Sequence, residues 1–170
     1  MQIREEITGD FDRIAALLDL AFGGTEESVL VADLRAAGSA FAALAATENG
    51  QILGHILFSD LPIEVEDGSL RAAALAPLAV LPERQRQGIG TALVRAGLAA
   101  CRDRGVAAAV VLGDPAYYPR FGFSAAAARH LRAPFCGPAF MAMELIPGCL
   151  DRIAGTVRYA TAFGLDNEIS

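Results

Sequence analysis

Residues 82–93, PERQRQGIGTAL, place Gly88 and Gly90 two apart, between a Gln/Arg cluster and an apolar run of helical period. The first backbone N–H groups of a helix lack intrahelical partners and the macrodipole is positive there, so an anion at that point is stabilised. Glycines let the main chain approach such an anion closely. Gln85, Arg86 and Gln87 add donors, and Arg86 or Arg84 adds charge. A pyrophosphate fits this description. The dinucleotide fingerprint G-x-G-x-x-G fits less well, because Leu93 stands where the third glycine belongs and the loop follows several strands and helices instead of the first strand. On the loop alone, a simple strand-to-helix turn remains an alternative.

Other chemistries are excluded by residue type. All 14 basic residues are Arg, so no Lys serves a Walker-type phosphate loop or a Schiff base. There is no G-x-S-x-G elbow. Cys101, Cys136 and Cys149 form no C-x-x-C pair and have no neighbouring histidine, while His55 and His130 lie far apart. Free thiols are therefore expected, with no disulfide and no metal site.

The elements that must carry the loop can be read from period and punctuation. A chain of 170 residues with 54% hydrophobic and 20% charged residues is expected to form one domain, residues 1–170, around one core. No apolar stretch is long enough to span a bilayer, and the charged N-terminus does not resemble a signal peptide, so a cytoplasmic protein without a membrane partner is expected. The net charge of −6 argues against nucleic acid as a partner.

QIREEI reads as a first strand, followed by Thr8 and Asp10 as helix-capping residues. Phe11, Ile14, Ala15, Leu18 and Phe22 then make one apolar stripe, ended by Gly23 and Gly24. A second helix is predicted from Glu26 to Ala37. Asn49-Gly50 joins two apolar runs as a hairpin, and Asp67-Gly68 forms a second turn before LRAAALAPLAV, where Pro77 predicts a bulge or break. After the loop, Ile89, Leu93, Ala96 and Ala100 share a helical face with Val94, Leu98 and Cys101 beside it, up to about Gly105. VAAAVVLG follows as a buried strand, parallel to the one before the helix. FMAMELI and TVRYATAF are predicted as further strands. The fold class is α/β.

In that setting LAPLAVLPERQRQGIGTALVRAGL resembles the central motif of the GNAT superfamily of acyl-CoA-dependent N-acetyltransferases, in the compact form found in bacteria. An apolar strand there leads into Q/R-x-x-G-x-G/A and a helix, with Gln85, Gly88 and Gly90 at the diagnostic positions. GDPAYYPRFGF, residues 113–123, matches the Y-x-x-x-G-F element through Tyr118 and Gly122-Phe123. The resemblance covers residues 2–146.

It implies a single-domain GNAT-like fold, with a mixed, mostly antiparallel central sheet, a splayed parallel strand pair and flanking helices. It also implies acetyl-CoA as cosubstrate. Leu78 N–H would bind the acetyl carbonyl, Leu78, Ala79 and Val80 would line the pantetheine with Val80 pairing its amides, and the backbone from Gln85 through Arg86, Gln87, Gly88, Ile89 and Gly90 to Thr91 would hold the pyrophosphate. Tyr118 is implied as general acid to the departing thiolate, with Tyr117 as fallback.

Two departures stand out. LAPLAV offers no carboxylate where many members carry a Glu base, leaving Asp60, Glu64 and Glu66 as substitutes. Many members also place an Asn in the stretch read here as Val111–Pro115, and Asp114 is the residue that would take over part of its coenzyme contact.

The expected reaction is direct attack by a primary amine of a small molecule or peptide in a ternary complex. A non-catalytic acyl-CoA sensor and a different nucleotide-binding enzyme are the alternatives. The acceptor pocket is expected from the first two helices, the segment Ser59–Glu66 and RHLRAPFCGPAF. The C-terminal ATAFGLDNEIS would complete it or pair with a second subunit as a homodimer.

Overall fold

The computed structural model of the chain describes residues 1–165, so the last five residues of the C-terminal segment lie outside the described residues. Two compact units share the chain. The first comprises Met1–Phe58 and Ala76–Ala100, the second Ser59–Leu75 and the chain from Cys101 onward.

The first unit opens with β1 (Gln2–Glu5), which pairs antiparallel with β2 (Ala40–Glu48) from Gln2 opposite Thr47 to Glu5 opposite Leu44. α1 (Phe11–Phe22) and α2 (Glu26–Ala36) lie between them in sequence. Gly23 ends α1 at φ 75, a left-handed conformation that glycine adopts without a Cβ clash. The buried stripe of α1 is Ile14, Leu17 and Leu18. Phe22, predicted to extend that stripe, is instead 45% exposed, because the helix presents Leu17 inward where the expected stripe had no member.

Asp10 precedes α1 but makes no capping hydrogen bond to it. Its carboxylate accepts from Arg4 Nη1 at 2.6 Å, Arg13 Nη2 at 2.8 Å and Ile7 N–H at 3.0 Å, and so pins the entry of the helix to β1. β2 turns into β3 (Gln51–Asp60) through Asn49 and Gly50 at φ 49 and 78, the positive pair that a two-residue hairpin requires. The sheet order in this unit is β1-β2-β3-β6.

In the second unit β4 (Ile63–Val65) and β5 (Gly68–Leu70) form a hairpin in which Gly68 pairs with Val65, so the turn is Glu66-Asp67, one residue earlier than predicted. Arg71 separates β5 from β6 (Ala72–Val80), which the sequence had joined as one run. β6 pairs parallel with β7 (Ala108–Leu112) from Ala72–Ala108 to Leu75–Val111, and β7 pairs antiparallel with β9 (Phe140–Glu144). The run of Ala and Val in β7 suits a strand covered on both faces.

A second sheet, of order β5-β4-β10-β8, was not foreseen. It unites four short strands, β8 being Leu131–Arg132 and β10 Gly155–Val157. TVRYATAF is correspondingly strand only at its start, since the chain becomes a single helical turn at Thr161–Phe163. Ile63, Ala72, Val110, Phe140, Leu150, Val157 and Tyr159 form one buried cluster in this unit, each large side chain contributing roughly 1.5–3 kcal/mol of transfer free energy.

Pro77 does not break β6, which is continuous to Val80 across a cis Ala76-Pro77 bond. What stops is the ladder with β7, whose last pair is Leu75–Val111. Five residues of β6, Ala76–Val80, run on past it, and they belong to the first unit.

Candidate active site

After β6, Leu81 donates its N–H to Leu53 O at 2.9 Å, and Pro82–Arg84 make one tight helical turn. Gln85 to Gly88 then run exposed into α3 (Ile89–Asp103). Arg86 and Gly88 lie at φ 59 and 85. Left-handed residues among extended or right-handed ones turn successive N–H groups towards one side, the concavity that accommodates phosphates. Ala92 N–H donates to Gly88 O at 3.0 Å at the start of α3, and Gln85 N–H donates to Pro82 O at 3.4 Å.

The side chains around the loop fold it. Gln85 Nε2 donates to Val80 O at 3.2 Å, and Gln87 Nε2 donates to Glu83 O at 3.3 Å. Arg84 donates to Gln87 Oε1 at 3.1 Å and to Glu48 Oε2 at 3.0 Å, so its charge is already answered. Arg86 is the exposed cation of the loop. Of the two arginines the sequence put forward for charge, the geometry therefore favours Arg86.

Helix α3 is seated by glycines. Ile89, Leu93, Val94, Leu98 and Cys101 are buried, and Gly97 faces Phe58 so closely that a Cβ would overlap its ring. Ala96 and Ala100, expected on the core face, are half-buried at its flank. On β3, a Cβ at Gly54 would stand 3.0 Å from Ala79 O, 2.9 Å from Leu93 Cδ1 and 3.2 Å from Ile89 Cγ2. Gly54 thus permits the end of β6 and the first turn of α3 to approach β3 together. This role is not legible in the sequence, for a lone glycine within an apolar run carries no sign of what approaches it. Ala79 is buried, while Leu78 and Val80 are half-exposed, as alternation along a strand dictates.

In the second unit, Asp114 builds the turn that carries Tyr118. Its Oδ1 accepts Ala116 N–H at 2.8 Å, and its carbonyl accepts Tyr117 N–H at 3.0 Å and Tyr118 N–H at 3.2 Å. The carboxylate proposed from sequence as a coenzyme contact is thus also a turn-former. The Tyr118 ring meets Tyr117 and Phe123 edge-on, at 5.1 and 5.8 Å between centroids. Burial pushes its phenol up to about 12, helped by Tyr117 and Asp114. A phenol held so is protonated at any physiological pH.

The candidate bases are less committed. Asp60 and Glu66 are exposed, and Glu64 is paired with Arg158 at 2.8 Å. Burial pushes the Cys101 thiol up to about 12, against a thiolate nucleophile. Among the described residues no group of three His, Cys, Asp or Glu side chains is arranged to hold a metal ion.

The acetyltransferase (GNAT) domain family matches residues 2–126. The chain belongs to the GNAT acetyltransferases. Over 166 residues, 96% of this chain and 98% of the other, it is 40% identical to the uncharacterized N-acetyltransferase YhbS of Escherichia coli K12. The crystal structure of YhbS in complex with CoA superposes with a TM-score of 0.87 at 39% identity, covering 97% of this chain and 92% of that one. A GNAT acetyltransferase from Brucella melitensis in complex with acetyl-CoA gives 0.78 at 36% identity, covering 95% and 97%. The mixed sheet with its parallel β6–β7 pair is the GNAT fold, the enzyme class is acyl-CoA-dependent N-acetyltransferase, and acetyl-CoA is the cosubstrate.

Proposed function

We propose that the chain acts as one domain, residues 1–170, transferring acetyl from acetyl-CoA to a primary amine of a small molecule or peptide by direct attack in a ternary complex. The observation that carries this is the exposed Gln85–Gly88 loop at the mouth of α3, with Arg86 and Gly88 in left-handed conformation. The fit to a pyrophosphate rests on main-chain donors from Gln85 to Thr91, with Arg86 supplying charge. Leu78, Ala79 and Val80, on the part of β6 beyond its ladder with β7, line the pantetheine. Leu78 N–H stabilises the charge that develops on the thioester oxygen as the amine attacks. As the carbon–sulfur bond breaks, Tyr118 gives its phenolic proton to the sulfur; the amine nitrogen releases a proton to solvent, and the phenolate takes one back from solvent to restore the acid. The coenzyme supplies the activated acyl group, and protein residues hold and protonate it.

No helix among the described residues is long and apolar enough to cross a membrane, in keeping with action in the cytoplasm. The test is thiol release from acetyl-CoA with a panel of polyamines, aminosugars, amino acids and peptides with free N-termini. Binding of acetyl-CoA without release above background for any amine would instead make the protein a sensor. Tyr118→Phe is expected to lower kcat by about 100-fold or more with acetyl-CoA affinity nearly unchanged. Full activity in that variant removes Tyr118 from the role.

A further inference from the structure

At Gly113, the residue after β7, an ideal Cβ would stand 2.8 Å from Tyr118 Cδ2 and closer still to Cε2, well inside the 3.5–4.0 Å at which carbon atoms normally rest. The backbone there does not call for glycine. Gly113 is absent from the residues with positive φ, whereas Gly105 and Gly122 on either side of it in sequence are at φ 75 and 106. Space for the ring is therefore what the missing side chain provides.

The two sides of this contact yield unequally. Gly113 N–H donates to Ala139 O at 3.0 Å, and the preceding residue, Leu112, pairs with Phe140, so the strand end is pinned to β9. The ring is met by Tyr117 and Phe123, and its backbone is held by the Asp114 carbonyl. The ring turns on two single bonds, whereas the strand moves only by breaking its ladder. A side chain at residue 113 therefore displaces the phenol before it displaces the strand.

We propose that Gly113 is a positioning residue, which fixes the phenolic oxygen of Tyr118 by letting its ring lie flush against the end of β7. The inference rests on Tyr118 being the general acid. Gly113 touches neither substrate nor coenzyme in this role and acts only through the ring.

The experiment is a cycle of Gly113→Ala, Tyr118→Phe, Tyr118→Ala and the double variant Gly113→Ala/Tyr118→Ala. The readouts are kcat with the amine selected from the panel, acetyl-CoA affinity by calorimetry, and a crystal structure of Gly113→Ala. The expected result is that Gly113→Ala lowers kcat to about the level of Tyr118→Phe, a loss of about 100-fold, and leaves acetyl-CoA affinity within about threefold. In the Tyr118→Ala background, where no ring remains to displace, Gly113→Ala should change kcat by less than about twofold. The crystal structure should show the ring moved and the β7–β9 ladder intact.

Wild-type kcat in Gly113→Ala, beside a slow Tyr118→Phe, overturns the positioning role and leaves the acid in place. Wild-type kcat in Tyr118→Phe removes the acid and the inference with it. A ring left in place in the crystal overturns the inference whatever the rates are. If Gly113→Ala does not fold, recovery of folding in the double variant supports the same contact, and failure of both overturns it.

Discussion

His55 Nε2 stands 2.8 Å from Glu6 Oε2, and the imidazole is fully buried on β3. Arg35 of α2 grips the same carboxylate through Nε at 2.8 Å and Nη2 at 2.7 Å while its guanidinium covers the Phe11 ring. One carboxylate just beyond β1 thus ties a helix and a strand together. Burial alone would push Glu6 up, but the hydrogen bonds from Arg35 and His55 outweigh it and hold the group at about 2, below its ordinary 4.5. A depressed carboxylate contributes stability that is complete above the unfolded value and is lost as pH falls through the folded one. Unfolding free energy should therefore decline between about pH 4.5 and 2. Glu6→Gln should flatten that decline and cost roughly 2 kcal/mol near neutrality, as measured by urea unfolding at a series of pH values. An unchanged acid slope would show that the carboxylate is not so held.

The same window contains Asp10, held at about 2 chiefly by the Arg4 hydrogen bond against the opposing effect of burial. Asp10→Asn should remove its own share of the acid dependence, and Glu6→Gln/Asp10→Asn more than either alone, with Glu48, lowered by Arg84, left to contribute the rest. Additivity is expected because the two carboxylates have no partner in common among their hydrogen bonds. Parallel acid titrations of the three variants by circular dichroism check this.

Gly88 at φ 85 in the exposed loop predicts that Gly88→Ala strains the turn by about 1 kcal/mol. Its clearer effect should be on coenzyme affinity, weakened by about tenfold as the N–H groups lose their common direction. Calorimetric titration with CoA measures this, and affinity equal to wild type would remove the loop from the phosphate site.

Phe58 and Gly97 make a packing prediction. Gly97→Ala forces its methyl into the Phe58 ring, and overpacking of this kind costs roughly 1–3 kcal/mol. Phe58→Leu in the same chain should return part of that loss, so that the double variant melts higher than Gly97→Ala alone. Thermal midpoints decide it.

As the proposed general acid, Tyr118 with its raised phenol would set the alkaline side of the rate profile. A general acid works while protonated, so activity controlled by it falls only as pH rises through about 12. Log kcat should accordingly show no downward limb up to about pH 10, beyond which protein stability intervenes. A limb that Tyr118→Phe leaves in place belongs to another group.

The α3 loop was legible as a strand-to-helix turn because it is marked by local spacing: Gly88 and Gly90, a preceding apolar strand and a helical stripe. The Asn49-Gly50 hairpin was legible for the same reason. Departures arose where distant chain segments decide. Phe22 fits the α1 stripe by period but lies on the solvent side once Leu17 is buried. The second sheet depends on β10 meeting β4 and β8, residues far apart in sequence and only two or three long in each strand, too short to display alternation. Pro77 announced an irregularity and left its form undecided, and the form observed is a ladder that ends two residues earlier. At the site, residue types were readable while their engagements were not. Gln85 and Gln87 bond back to main-chain carbonyls, and Arg84 is matched by Glu48, a residue at the far end of β2.

The early end of the β6–β7 ladder has an evolutionary corollary. In the proposed mechanism the acyl donor is held along Leu78–Val80 by peptide groups, which every amino acid except proline supplies alike. Substitutions at Leu78 or Val80 can therefore reshape the neighbouring surface, and with it the choice of acceptor, while the hold on the donor persists. A catalyst built in this way can change clientele by drift without first losing its trade.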